Sequence, residues 1–277
     1  IDELMCEVGN YFNLDRRALG YRRVLREHVV TGPDGVTPLR IDGRTVKKRE
    51  LSDYHWITYE EMLRRKNWIA RGFHLNGVSR RDRVVILCET CPEYLMVELA
   101  IANAGAVQVN VFSTLGDAGI AHAIQETGAK FIFTSFELLG KTRSIIDAHA
   151  LNIQKVFYIP SRVEEVSAED RAEADKLVTP MNGVEFIPLA TIERDGEERG
   201  AEVEDRCKPI DKDEVAFISK CAFDFLSTTN ELIVFVLHNS VYLWNHWRAE
   251  GSASNVVPVC SVATCHTART GTHYGRR

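Results

Sequence analysis

Arg83-Val84-Val85-Ile86-Leu87-Cys88-Glu89-Thr90-Cys91-Pro92-Glu93 passes from an unbroken apolar run into the start of a helix. A continuous apolar run bounded by charge is the pattern of a strand covered on both faces, as in a parallel sheet. Thr90 and Glu93 stand at capping-box spacing, and Pro92 suits a first helical turn. Apolar residues then recur at Tyr94, Leu95, Val97, Leu99 and Ile101 up to Gly105.

The same design repeats twice. Ala106–Val111 predicts a strand, Ser113–Gly116 a turn, and Ala118–Thr127 a helix stopped by Gly128. Lys130–Phe133 predicts the next strand, with Thr134 and Glu137 as another capping box. A helix to about Ala150 and a strand at Lys155–Ile159 complete the series. Strands alternating with helices of this length imply a doubly wound, mostly parallel α/β sheet. Such sheets take ligands beyond the carboxyl ends of their strands. Cys88–Thr90, Phe112–Leu115 and Thr134–Phe136 are therefore the places expected to form a site.

Outward from this core, Ile1–Leu19 has helical periodicity and Tyr21–Leu25 reads as a strand. Thr31–Gly35 is a turn by composition, and Leu39–Lys48 is a charged second arm, so that the two arms predict an antiparallel hairpin. Tyr54–Tyr59 is a short aromatic strand that ends in a capping box of Thr58 and Glu61. A helix with Met62, Trp68, Ile69 and Phe73 facing inward follows. Val184–Pro188 predicts a further strand at the sheet, within a stretch from Val163 to Arg206 read as surface helices and loops. The chain thus divides into a lead-in (1–82), an α/β core (83–218) and a tail (219–277).

The 277 residues are 45% hydrophobic, enough for a sizeable core, and carry a net charge of -5. That balance argues against a nucleic-acid partner, whose phosphates demand concentrated Lys and Arg. No apolar run is long enough for a transmembrane segment, and no secretory signal opens the chain. It begins with Ile1 rather than Met, so an upstream segment is expected. Seven scattered cysteines read as reduced intracellular thiols.

Trp56-Ile57-Thr58-Tyr59-Glu60-Glu61 and Val84–Cys88-Glu89-Thr90, taken with Thr114-Leu115-Gly116, resemble the N-terminal domain of eukaryotic long-chain fatty acid–CoA ligases, in the adenylate-forming, AMP-binding superfamily. His122-Ala123-Ile124 with Glu126-Thr127, Thr134-Ser135 with Glu137-Leu138-Leu139, Asp2-Glu3-Leu4 and Tyr54-His55 fit the same pattern, which covers Ile1 to Ile218. The resemblance implies an acid–thiol ligase using ATP and Mg²⁺ to make an acyl-adenylate, whose acyl group then passes to coenzyme A. It implies fatty acid, ATP and CoA as partners, and lipid metabolism as the setting. The expected location is intracellular, at the cytosolic face of the endoplasmic reticulum or another organelle membrane, with peripheral membrane association.

In that family a Gly- and Ser/Thr-rich loop with a Lys follows the strand matching Glu214–Ile218, where backbone N–H groups and an ammonium neutralise charge on pyrophosphate. Here Ser219-Lys220-Cys221-Ala222 stands instead. The residues for Mg²⁺, adenine, ribose and the C-terminal lysine would lie further on. No catalytic, cofactor-binding or metal residue is therefore assigned, and this chain alone is expected to be inactive.

The genetic code offers an origin for the tail. Ser219-Lys220 written AGT-AAG contains GTAAG, a usual intron start, and Asn239-Ser240 written AAC-AGY contains CAG, a usual intron end. Removing the stretch between them allows a Met codon, and Val241–Gly251 in the shifted frame allows Tyr-Thr-Ser-Gly-Thr-Thr-Gly-x-Pro-Lys-Gly. The glycines from Trp244 and Trp247 are forced by any codon choice. Residues from Ser219 thus read as a retained intron, and those from Val241 as exon in the wrong frame, with Glu231–Leu237 an apolar run lacking a partner unit.

Two other readings differ in kind. Cys88-x-x-Cys91 at a strand-to-helix turn suits a flavodoxin-like redox or binding module, although the turn is a poor phosphate loop. A non-catalytic splice product is the other. Cys260, Cys265, His266 and His273 fit no zinc spacing. His55, His74 and His122 read as structural or surface residues, and Arg64-Arg65-Lys66 as a solvated basic face.

Overall fold

A computed structural model describes residues 13–41, 44–161, 163, 175–208, 215–220, 232–238, 241–247 and 257–261. The chain enters through a long ribbon, β1 (Arg17–Val29) against β4 (Lys47–Thr58), in register from Arg17 opposite Thr58 to Val29 opposite Lys47. A smaller hairpin of β2 (Arg40–Ile41) and β3 (Arg44–Thr45) sits between them. The expected hairpin is present, but its second arm is Lys47–Thr58 rather than Leu39–Lys48. Of the expected helix over Ile1–Leu19, residues 1–12 lie outside the described residues, and Arg17–Leu19 are strand. Asp34 holds the turn by accepting from the Val36 and Thr37 amides at 3.1 and 3.0 Å.

Thr58 ends β4 in extended geometry, and its hydroxyl accepts from the Glu61 amide at 3.2 Å, the N-cap half of the expected capping box, starting α1 (Tyr59–Leu75). Met62, Ile69 and Phe73 of α1 are buried. Trp68 is only half-buried beneath Arg64, whose guanidinium lies 5.2 Å from the ring centre. The basic face is solvated only at Arg64: Arg65 pairs with Glu193 at 2.9 Å, and Lys66 is 2% exposed. Long aliphatic stems let such residues cover apolar surface, which a pattern of charges does not reveal.

The core alternates as expected. β5 (Arg83–Leu87), α2 (Pro92–Asn103), β6 (Val107–Val111), α3 (Asp117–Thr127), β7 (Phe131–Ser135), α4 (Phe136–Ala148) and β8 (Lys155–Ile159) follow one another. β9 (Glu185–Pro188) adds to the sheet beside β8, and α5 (Leu189–Glu198) returns to pack on α1. β10 (Val215–Lys220) lies parallel to β6. Strands β10-β6-β5-β7-β8-β9 thus form six parallel neighbours.

Beyond β10, β11 (Leu232–His238), β12 (Val241–Trp247) and β13 (Val257–Ser261) continue the sheet antiparallel. The apolar run at Leu232–Leu237, expected to lack a partner, pairs with β10. The edge of β10 offers unpaired backbone groups, and a β-rich run takes them whatever its origin. Of the residues weighed for zinc, Cys260 falls in β13, and Cys265, His266 and His273 lie outside the described residues.

Two apolar clusters flank the sheet. Val84, Ile86, Phe131, Phe133 and Phe157 meet α1, α2 and α5, whereas Val85, Leu87, Ile132 and Val156 meet α3 and α4. Period-two alternation in each central strand sends successive side chains to opposite layers. Helices α1 and α5 pack backbone to backbone: a Cβ on Gly196 would overlap the Trp68 carbonyl, and one on Gly72 the Ile192 carbonyl.

Two caps differ from expectation. The residue before a proline is driven to extended backbone, and Cys91 sits at φ -160°, ψ 166°, so α2 starts at Pro92 with Cys91, not Thr90, as its cap. Thr134 stays in the β7 ladder, opposite Leu87 and Tyr158, which leaves Ser135 at the cap of α4 without a side-chain cap bond.

Candidate functional site

The chain leaves β5 through α2 to reach β6, then crosses through α3 to β7 on the far side of β5. Because α2 and α3 lie on opposite faces, the loops after β5 and β6 diverge. A crevice at such a switch point is where doubly wound sheets bind ligands. A cleft of about 320 Å³ opens there, lined by Cys88, Glu89 and Thr90 from one loop and Phe112 and Ser113 from the other. Two of the three stretches expected to form a site therefore meet. Thr134–Phe136 does not join them: Thr134 and Ser135 are buried in the sheet. A larger cleft, about 630 Å³, lies beside Val78 and Arg80, before the start of β5 and away from the carboxyl ends.

The floor of the smaller cleft is polar, because β6 is not apolar throughout. Val107, Val109 and Val111 face α3, while Gln108 and Asn110 alternate toward α2. Gln108 Nε2 donates to Asn110 Oδ1 at 2.7 Å, and Asn110 Nδ2 donates to the Tyr94 hydroxyl at 2.8 Å. Burial, reinforced by the Glu98 carboxylate, pushes the Tyr94 phenol up to about 12. Burial also raises Glu98, opposed by its hydrogen bond with Gln108. Behind the second loop, Lys141 of α4 donates to the carbonyls of Ser113 and Leu115 at 3.1 and 2.8 Å, which fixes the β6–α3 turn.

Glu98→Gln supplies a direct check of that floor. An acid raised in the folded state holds its proton where the unfolded chain has lost it, so its stabilising contribution is present at low pH and fades as pH climbs through the folded pKa. Glu98→Gln should lack this fade. Its melting temperature relative to wild type should rise from about pH 4.5, the ordinary carboxylate range, toward pH 7. A difference that is flat across that range would mean that the carboxylate is not desolvated.

The cleft offers hydroxyls, an amide, the Cys88 thiol and the Glu89 carboxylate, and none of its lining residues is Lys or Arg. That set does not fit a triphosphate, which needs cationic or multiple N–H donors. Among the described residues no three His, Cys, Asp or Glu side chains are grouped to hold a metal ion. His74 Nδ1 donates to the Val78 carbonyl at 2.9 Å, and His122 Nε2 lies 3.6 Å from the Glu126 carboxylate. Sequence reasoning missed Tyr94, Gln108, Asn110 and Lys141. The polar alternation in β6 was the available signal for two of them.

Comparison with known proteins agrees with this fold. The family described as AMP-binding enzyme matches residues 40–219. Long-chain-fatty-acid–CoA ligase 1 of Saccharomyces cerevisiae is 27% identical over 173 residues, covering 60% of this chain and 24% of its own length. The Schizosaccharomyces pombe protein of the same description is 28% identical over 131 residues, covering 45% of this chain and 19% of its own. The chain spans about a quarter or less of the length of these curated relatives. Among solved structures, the adenylation domain of a Mycobacterium chelonae carboxylate reductase superposes with a TM-score of 0.61 at 18% identity, over 85% of this chain and 34% of that one. A flavodoxin-like module is not favoured beside these matches. With the family pattern spanning residues 40–219 and the sheet of an adenylate-forming enzyme beneath it, the chain belongs to the AMP-binding enzyme family.

Proposed function

We propose that this chain carries the first part of a long-chain fatty acid–CoA ligase, and that these 277 residues do not activate fatty acid by themselves. The parent reaction joins a fatty acid carboxylate to the α-phosphate of ATP with release of pyrophosphate. The CoA thiol then displaces AMP to give the thioester. Fatty acid, ATP, Mg²⁺ and CoA belong to that whole enzyme, as does work at an organelle membrane. Among the described residues no helix is long and apolar enough to cross a membrane.

One observation carries the proposal. The family match stops at residue 219, where β10 nears its end and where the sequence itself departs from the phosphate loop. This supports a division into a lead-in (1–82), a partial α/β core (83–218) and a retained-intron, frame-shifted tail (219–277). A non-catalytic splice product is the same molecule seen from its consequence.

The test has two arms. The purified chain, given palmitate, ATP, Mg²⁺ and radioactive pyrophosphate, should show no exchange into ATP above a protein-free control. Exchange at a ligase-like rate would overturn the proposal. Transcripts sequenced across the codons for Ile218 to Trp247 should include spliced messages reading Phe-Ile-Met-Tyr-Thr-Ser-Gly; retention of the insert in every message would end the intron reading.

A further inference from the structure

We propose that Cys88 and Cys91 form a reversible dithiol–disulfide pair whose closure remodels the cleft between β5 and β6. The two Sγ atoms lie 4.0 Å apart across two intervening residues. A disulfide needs about 2.05 Å, so side-chain rotation with a small loop adjustment brings them into bonding range. Both residues are half-buried, which leaves them within reach of a small oxidant.

Each thiol has a structural task that closure would interrupt. Cys91 Sγ accepts from the Tyr94 amide at 3.2 Å as the cap of α2, and Cys88 Sγ donates to the Glu89 carbonyl at 3.3 Å. Capping places Cys91 Sγ against the Tyr94 N–H at the positive end of α2, the kind of position in which helix N-termini favour thiolates. Cys207 is a contrast inside the same chain: burial pushes its thiol up, away from reactivity. A bond from Cys88 to Cys91 would pull the cap off Tyr94 and turn Glu89 and Thr90, three of the residues that line the cleft. The pair regulates shape; it does not make the chain an oxidoreductase.

The oxidant is a low-molecular-weight disulfide such as glutathione disulfide. The Cys91 thiolate attacks one of its sulfurs, forming a mixed disulfide and releasing one glutathione thiolate. The Cys88 thiolate then attacks the Cys91 sulfur and expels the second. Two protein thiols lose two protons and two electrons, and one small disulfide becomes two thiols. Excess reduced glutathione reverses both steps.

The experiment equilibrates the full 277-residue chain in glutathione buffers from fully reduced to fully oxidised, quenches with acid, alkylates and maps peptides by mass. At the oxidised end, the tryptic peptide holding both cysteines should lose nearly all alkylation and become two hydrogens lighter, while Cys207 stays alkylated. Amide exchange at Tyr94 should become severalfold faster in the same sample. Cys91→Ser, which retains a capping oxygen, should restore slow exchange under oxidation and leave Cys88 alkylated or glutathionylated. Full alkylation of both residues in every buffer would overturn the proposal, as would bonding of either to a different cysteine. These readouts do not use ligase activity, so they stand apart from the outcome of the pyrophosphate exchange.

Discussion

Gly196→Ala should detach α5 from α1 and lower stability by about 3 kcal/mol, the upper end for forcing atoms into a packed contact. A Cβ at this position meets three backbone atoms of two residues: the Trp68 carbonyl oxygen, its carbon at 2.7 Å and the Gly72 nitrogen at 2.9 Å. Backbone inside a helix cannot swing aside as a side-chain end can, so the helices must move apart. Separation would expose Leu189 and Ile192, both fully buried, and would break the Arg65–Glu193 pair that closes the same interface. Gly140→Ala in α4 is the matched control, because its added Cβ meets nothing nearer than Leu177 Cδ2 at 3.9 Å. Replacing a helical glycine there should add about 0.5–1 kcal/mol through propensity alone. Urea unfolding followed by circular dichroism reads both. Equal midpoints for Gly196→Ala and wild type would mean that the two helices do not approach so closely.

That contact was invisible in the sequence, whereas the parallel core was plain. Strand positions in the core depend on local signals: the charge-bounded run at Val84–Leu87 and the run at Lys155–Ile159 fall where the pattern puts them. Gly128 ends α3 in left-handed geometry at φ 62°, as a helix-stopping glycine should. A helix-to-helix crossing joins residues more than a hundred positions apart, and nothing local announces that Gly72 and Gly196 will face each other. The ribbon's extent and second arm were missed for a related reason. Alternation in β1 and β4 is weak because Tyr54 and Trp56 are exposed on a surface where Arg17 and Arg22 lie over their rings, so periodicity underestimated its length.

The site was legible as a place but not as a surface. Topology alone opens a crevice between the loops after β5 and β6, since at a switch point they diverge. Its polar floor depends on which face of β6 each residue takes, and Gln108 and Asn110 become meaningful only once α2 lies over them with Tyr94 and Glu98. Lys141 reaches its turn from α4, a tertiary relation with no trace in spacing.

Phe157→Ala should be the most damaging truncation in the sheet. Its ring is fully buried and stands 5.0 Å from Phe73 of α1 and 6.0 Å from Phe131 of β7, centre to centre, so it joins a helix to two strands. Removing a buried phenyl side chain costs about 3–5 kcal/mol, from lost transfer energy and from the cavity left by neighbours that cannot collapse fully. Small domains hold only about 5–15 kcal/mol in total, so a large part of the chain's stability rests on this one ring. Phe157→Leu, which refills most of the volume, should lose about 1.5 kcal/mol or less. Phe112→Ala, at a position 50% exposed on the cleft rim, should stay within about 0.5 kcal/mol of wild type. The order of urea midpoints, wild type with Phe112→Ala above Phe157→Leu above Phe157→Ala, tests whether the aromatic contact is a packed core. If Phe157→Ala and Phe112→Ala unfold together, the layer of α1, α2 and α5 does not close over the sheet.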